Sequence, residues 1–260
     1  MSVSIRLISF LLFITVANFE VYCQINTVEN IIIPAKSDKE VDVTASLYKT
    51  IEKPKGVFLL FHQAGSSRGE FIEIAQRFNR MEYIALAVDL RSGKSMNGID
   101  NATYKDAKVK MKNTTYLDAY SDIILAYNYI VNNYQDSLPI YVLGSSYSAS
   151  LCIRLAAKTQ GNPIKGLFLF SPGEYFTNYN GQENYIATFL SAVSSPVWAT
   201  SSRDESSQLQ ELLKHAPVDL KVDQFIPATE GQHGAKALWS IYVDSDDYWQ
   251  SLNDFLENIR

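Results

Sequence analysis

Cysteine and histidine are scarce in this sequence: Cys23 and Cys152 are the only thiols, and His62, His215 and His233 the only imidazoles. Cys23 lies at the end of an N-terminal segment read below as an export signal. Once that segment is removed no intrachain disulfide can form, and stability has to come from packing. An excess of positive charge is also missing. The 23 Lys and Arg residues face 28 Asp and Glu, giving a net charge of -5, and they are scattered without a basic stripe. Such a surface does not neutralise phosphates, which argues against nucleic acid as a partner. Internal repeats, low-complexity tracts and linker-like stretches are absent as well. What the chain has in quantity is apolar material, 47% hydrophobic and 12% aromatic over 260 residues. That is enough for one large core, and one domain over residues 24–260 is the expectation.

The longest apolar stretch at the start of the chain, Leu7 to Phe19, follows Met1-Ser-Val-Ser-Ile-Arg6 and is too short and too weakly flanked for a membrane span. It reads as a secretory signal covering residues 1–23, with Val21 and Cys23 at the positions a signal peptidase inspects and Gln24 as the first mature residue. Two alternatives stay open: a lipid attached at Cys23, disfavoured by the bulky Tyr22 before it, and a retained anchor helix. The expectation is export, to the periplasm or outside the cell, with no stable membrane span after signal removal.

Further along, Val41 to Tyr48 alternates apolar and polar side chains and Asn30 to Ala35 is a second candidate strand, so the domain should open with an antiparallel hairpin at a sheet edge. Gly56-Val-Phe-Leu-Leu-Phe61 is apolar throughout, as a parallel strand covered on both faces must be. Tyr83 to Val88, Pro139 to Leu143, Gly166 to Phe170 and Pro196 to Thr200 repeat the pattern. Helical periodicity appears over Gly69 to Met81, Leu117 to Tyr134, Ala149 to Lys158 and Ser207 to His215. Strands alternating with helices predict an α/β fold with a doubly wound, mostly parallel sheet. Two stretches break the rhythm, the polar Ser92 to Thr115 and the Tyr-, Asn- and Gly-rich Glu174 to Gln182. Both follow strands on the side where open α/β sheets bind ligands, and both are expected at the rim of a pocket. Phe170 and Pro196 are too close together to leave room for a large lid.

The chemistry is written mainly in Leu143-Gly144-Ser145-Ser146-Tyr147-Ser148-Ala149. A Ser two residues after Gly, directly after a predicted strand and before a predicted helix, fits a nucleophile elbow, where the turn is so sharp that Gly144 and Ser148 must be small. Phe61-His62-Gln63-Ala64-Gly65 ends the first central strand with small residues that let main chain approach a substrate carbonyl. Together with Asp89-Leu-Arg-Ser-Gly93 and His233-Gly234, these motifs resemble the α/β-hydrolase superfamily, nearest its dienelactone-hydrolase-like members, over roughly residues 55 to 240. The resemblance implies an α/β-hydrolase fold, and an oxyanion hole made by the N–H of Tyr147 and that of Gln63 or Ala64. The dienelactone hydrolases proper carry Cys in the elbow where this chain has Ser146, so their substrate does not carry over.

A serine hydroxyl needs a base, and the base needs an orienting acid. His62 is committed to the oxyanion loop, and His215 falls in an amphipathic helix beside Lys214, where a solvated or capping role is expected. His233 remains, in a loop after the last predicted strand, Val222 to Pro227. Asp204 stands where the superfamily places its acid, with Glu205 the alternative; the one not used would simply begin the next helix. Asp89 and Arg91 read as turn-stabilising, Cys152 as a buried packing residue, and Tyr175, Phe176 and Tyr179 as an aromatic wall or core. The expectation is an esterase acting on a small-molecule ester through Ser146, His233 and Asp204, with no metal or organic cofactor. Two rivals stay open, a non-catalytic binding protein on the same fold and a small serine peptidase.

Overall fold

A strand that is apolar on both faces is stable only if both faces are covered, so these runs dictate a sheet between two layers of helices. The computed structural model describes residues 27–37, 40–159, 164–177 and 182–260. The reading of residues 1–23, including Cys23, lies outside the described residues. In chain order the elements are β1 (Thr27–Ile33), β2 (Val43–Lys49), β3 (Gly56–Phe61), α1 (Ile72–Arg80), β4 (Tyr83–Val88), the short pair β5 (Ser95–Met96) and β6 (Ile99–Asp100), α2 (Ala102–Val109) and α3 (Ala119–Tyr134). They continue with β7 (Ile140–Ser145), α4 (Tyr147–Lys158), β8 (Ile164–Phe170), α5 (Tyr185–Leu190), β9 (Val197–Thr200), α6 (Ser206–Leu213), β10 (Val222–Phe225) and α7 (Ser245–Ile259).

The main sheet runs β1-β2-β4-β3-β7-β8-β9-β10. The β1/β2 and β2/β4 pairings are antiparallel and the rest parallel, as the sequence predicted for a hairpin feeding a doubly wound sheet. Alternation along β3 divides the core. Val57, Leu59 and Phe61 pack on one face with Ile123 of α3 and Leu151 of α4, while Phe58 and Leu60 pack on the other with Phe78 of α1 and Trp249 of α7. The Phe58 ring stacks on Phe78 at 4.0 Å between centroids. Each such side chain contributes about 1.5–3 kcal/mol on burial, so the β3 run alone is a large part of the driving force. No described helix is long and apolar enough to cross a membrane.

Register decides where chemistry can happen. Phe61 pairs with Gly144, Ser145 with Phe170, Phe170 with Thr200, and Thr200 with Phe225. Five parallel strands therefore end level, and the loops after them emerge side by side at the carboxyl edge of the sheet.

Within the polar stretch Ser92 to Thr115, expected at a pocket rim, Ser92 bonds to Tyr147 of the elbow while the later part packs elsewhere. It contains α2, which buries only Thr103 and Ala107, too narrow an apolar face to register as a helix in sequence. Its Thr103 hydroxyl accepts from the Thr44 amide at 2.9 Å, and Asp106 from the Asp42 amide at 3.0 Å, so this segment folds back over the entry to β2.

Candidate active site

The turn from β7 into α4 is set by crowding. A Cβ on Gly144 would lie 2.5 Å from Ala149 Cα and 2.6 Å from Ala149 N, so no larger residue fits. Ser148 replaces the commoner glycine, and its hydroxyl is put to use: it donates to Phe61 O at 2.7 Å and accepts from the Ser145 amide at 2.9 Å. The elbow is thereby tied to the end of β3. Ser146, at its apex, has φ 60° and ψ -128°, a conformation rarely adopted by a residue with a side chain and one that stores backbone strain. Its amide donates to Phe170 O at 2.7 Å. The hydroxyl is thus presented at the sheet edge by backbone that cannot relax locally.

His233 arrives in the loop after β10. Its Nε2 is 2.8 Å from Ser146 Oγ, and its Nδ1 is 2.6 Å from a carboxylate oxygen of Glu205. The acid bonded to the imidazole is therefore Glu205 and not Asp204, which is exposed. The cause is tertiary. The Arg203 amide donates to Glu230 O at 2.8 Å and the Arg203 guanidinium to Pro227 O at 2.7 Å, which lashes the loop after β9 to the loop that carries His233. That anchorage turns residue 205 inward and residue 204 outward. Glu205 is still the residue that begins α6, so it holds both of the roles that the sequence divided between two carboxylates.

Ser171 supports this pair, and sequence inspection missed it. At the end of β8, with φ 50°, it donates its hydroxyl to the second Glu205 oxygen at 2.9 Å and accepts from the Gly234 amide at 3.1 Å. Ser145 Oγ accepts from the next amide, that of Ala235, at 2.8 Å. Two buried hydroxyls thus hold the histidine loop by its backbone. Nothing in a lone serine after a strand signals this, because the partners lie far away in sequence. Partial burial pushes the Glu205 carboxyl up, but the His233 hydrogen bond and charge, with the hydroxyls of Ser171 and Ser202, outweigh it and bring the pKa down to about 2.

The two oxyanion candidates on the β3 loop differ. The Gln63 amide donates to the buried Glu70 carboxylate at 3.0 Å, so it is already spent. Among the described residues, the amides of Ala64 and Tyr147 have no protein acceptor and are available. His62 does what its position demanded: Nδ1 lies 2.7 Å from Gln63 O, and Nε2 accepts from the Leu90 amide at 2.9 Å. It pins the β3 loop to the β4 loop. Asp89 accepts from the amides of Arg68 and Ala102 at 2.7 and 2.8 Å, and Arg91 forms a buried pair with Asp122 at 2.5 Å, so both are structural braces.

Tyr147 is buried, stacked on Tyr116 at 4.6 Å and hydrogen-bonded to Ser92. Tyr175 lies beside Ser146: its hydroxyl donates to Ser171 O at 2.7 Å and interacts with the Ser146 side chain. Burial raises that phenol to about 12, so it remains a donor at any ordinary pH. Phe176 is core, and Tyr179 lies outside the described residues. Cys152 is buried beneath the elbow, where desolvation pushes its thiol well up, away from reactivity. His215 is exposed, as expected, and borders a cavity of about 550 Å³ that is also lined by Tyr175, Glu205 and His233. Among the described residues no group of three His, Cys, Asp or Glu side chains converges as a metal site.

A hydroxyl at a strained elbow, bonded to an imidazole that is bonded to a carboxylate, with free amides nearby, is an arrangement suited to acyl transfer. Residues 52–243 match the family described as serine aminopeptidase S33, and the chain belongs to that family of α/β hydrolases. Similar structures include an esterase of Pyrococcus furiosus, 16% identical, with a TM-score of 0.66 over 90% of this chain and 93% of that one. A dienelactone hydrolase from Anabaena variabilis is 12% identical, with a TM-score of 0.65 over 90% and 98% of the two chains. A thermostable carboxyl esterase from Bacillus coagulans is 13% identical, with a TM-score of 0.67 over 89% and 98%. At these identities the likeness is one of fold. A comparison with curated proteins finds no match.

Proposed function

We propose that this hydrolase is a serine esterase that works through an acyl-enzyme on Ser146. The observation that carries the reading is the continuous chain from Ser146 Oγ to His233 at 2.8 Å and from His233 to Glu205 at 2.6 Å. His233 takes the hydroxyl proton as Ser146 attacks the carbonyl carbon. Glu205 holds the ring in the tautomer with Nδ1 protonated and stabilises the cation that forms. The carbonyl oxygen, now negative, is received by the amides of Ala64 and Tyr147. His233 then passes its proton to the departing alkoxide, and water, activated by the same imidazole, releases the acid.

The same residues could cleave an amide, and the family description names an aminopeptidase. An enzyme that selects a free N-terminus needs a carboxylate to receive the ammonium group. Of the three in the cavity wall, Glu174 is held by the amides of Ile186 and Ala187 at 2.9 and 2.8 Å and Glu205 by His233 and Ser171, while the exposed Glu211 pairs with Lys214 at the surface. That occupancy favours an ester. The test is hydrolysis of p-nitrophenyl acetate beside alanine p-nitroanilide, with Ser146→Ala as control. Ester turnover should fall by about 10⁴-fold or more in the mutant, and fluorophosphonate labelling should vanish with it. Equal rates in wild type and mutant would remove the reading in favour of a binding protein, and a preference for the anilide would move it to a peptidase.

A further inference from the structure

Acyl transfer gives a substrate two ends, and they leave the reaction centre in different directions. The carbonyl oxygen must meet the amides of Ala64 and Tyr147, whereas the departing oxygen must lie where His233 Nε2 can protonate it. The cavity of about 550 Å³ is bounded by His233, Glu205 and Tyr175, and its wall includes neither Ser146 nor Gln63, Ala64 and Tyr147. It lies beside His233 and its acid and away from the oxyanion amides, so of the two ends of a substrate the departing one is the end it can receive. The oxyanion flank is filled by the buried ring of Tyr147 stacked on Tyr116.

The chemistry of its wall narrows what can sit there. Of the three carboxylates in its wall, Glu174 and Glu205 are held by hydrogen bonds, and Glu211 stands at the exposed rim beside Lys214. The exposed side chains that remain are the neutral amides of Asn184 and Gln208 and the ring of His215. Each can both donate and accept, which suits hydroxyl groups, while Leu209 and Leu212 offer an apolar strip for the carbon face of a ring. On the esterase reading above, we propose that this cavity is the subsite for a neutral polyhydroxylated alcohol, a sugar, and that the natural substrate is an acylated sugar. The step balances without any further reactant. The bond from Ser146 Oγ to the acyl carbon forms, the bond from that carbon to the sugar oxygen breaks, and the proton taken from Ser146 is delivered by His233 to the sugar oxygen. Water then cleaves the acyl-enzyme.

The experiment holds the acyl group constant and varies the alcohol: ethyl acetate, glycerol monoacetate and a monoacetylated methyl glucoside, with wild type, Gln208→Leu and the double variant Asn184→Leu/Gln208→Leu. Wild type should show a kcat/KM for the sugar acetate at least about tenfold above that for ethyl acetate, a difference of ~1.4 kcal/mol. The double variant should lose that ratio through KM, and methyl glucoside should inhibit wild type competitively but not the double variant. Hydrolysis of all three acetates at similar kcat/KM, or a ratio unchanged in the double variant, would overturn the proposal and leave the esterase reading standing. Failure to hydrolyse any acetate in a Ser146-dependent manner would remove both.

Discussion

The two halves of the candidate site are built differently. The nucleophile half, on the loops after β3 and β7, is buried: His62, Ser145 and Ser148 are fully enclosed, and the chain is packed so closely that Gly144 has no room for a Cβ, with the Ser148 hydroxyl and the His62 ring bonded inside it. The acid and histidine half, on the loops after β8, β9 and β10, is partly open, with the side chains of His233 and Glu205 37% and 32% exposed. It is held by hydroxyls and one arginine in place of packing. A site of this kind has a rigid jaw, where a change of one atom disturbs the fold, and an adjustable jaw, where a change of one atom alters orientation. The difference predicts that damage in the first jaw appears as lost stability and in the second as lost kcat.

The sharpest way to break that comparison is at the carboxylate. Glu205→Gln keeps the size of the side chain but leaves His233 free to adopt the wrong tautomer, so kcat should drop about 10³- to 10⁴-fold with only a modest fall in melting temperature. Asp204→Asn, one residue away and exposed, should stay within about twofold of wild type. Steady-state kinetics on the two variants side by side decides the matter, and the reverse ranking would mean that the loop after β9 rotates in solution. On the rigid side the counterpart is Gly93→Ala, in the loop after β4 that braces the loop after β3. The new Cβ would lie 2.1 Å from Ser66 O and 2.2 Å from Asn101 Nδ2, both part of the bracing between the β3 and β4 loops. Stability to urea should fall by about 2 kcal/mol, as overpacking usually costs, and a variant as stable as wild type would show that this jaw can yield.

That asymmetry also explains what could be read before the fold was known. The parallel strands were legible because two-sided burial requires unbroken apolar runs, and the elbow because its crowding admits only small residues at positions 144 and 148. Such constraints act over a few residues and leave their mark locally. The choice between Asp204 and Glu205 rests on Arg203 reaching Pro227, and the role of Ser171 rests on Gly234, contacts that join segments far apart in sequence. Local pattern holds no trace of them. Gln63 is a different case: its amide is claimed by Glu70, only seven residues further along, through a fold of the loop that the local pattern does not announce. Helix α2 was missed for the opposite reason: it packs through two small residues, and its remaining contacts are polar.

A smaller effect is expected at Ser171. Ser171→Ala would strip one hydrogen bond from Glu205 and one acceptor from the Gly234 amide without opening a large void. The imidazole would keep its acid but lose part of its alignment, and a loss of about one ordinary hydrogen bond predicts roughly a tenfold fall in kcat at unchanged KM. If Ser171→Ala instead unfolds the protein, the open half is as structural as the buried one.

The smallest effect is in the pH dependence of stability, and its sign follows from Glu205. Its carboxyl is held at about 2 in the folded chain, below the ordinary glutamate value of about 4.3. As pH falls the unfolded chain takes up the proton first, so the stabilisation from Glu205 is fully present above that ordinary value and is lost as pH drops toward 2. The group is partly exposed and solvent screens it, so the contribution is modest. Melting curves of wild type and Glu205→Gln should therefore lie furthest apart near pH 6 and converge as the buffer is taken down toward pH 2. A gap that widened on acidification would mean that the carboxylate is not the partner the imidazole depends on, and that the open jaw closes on some other group.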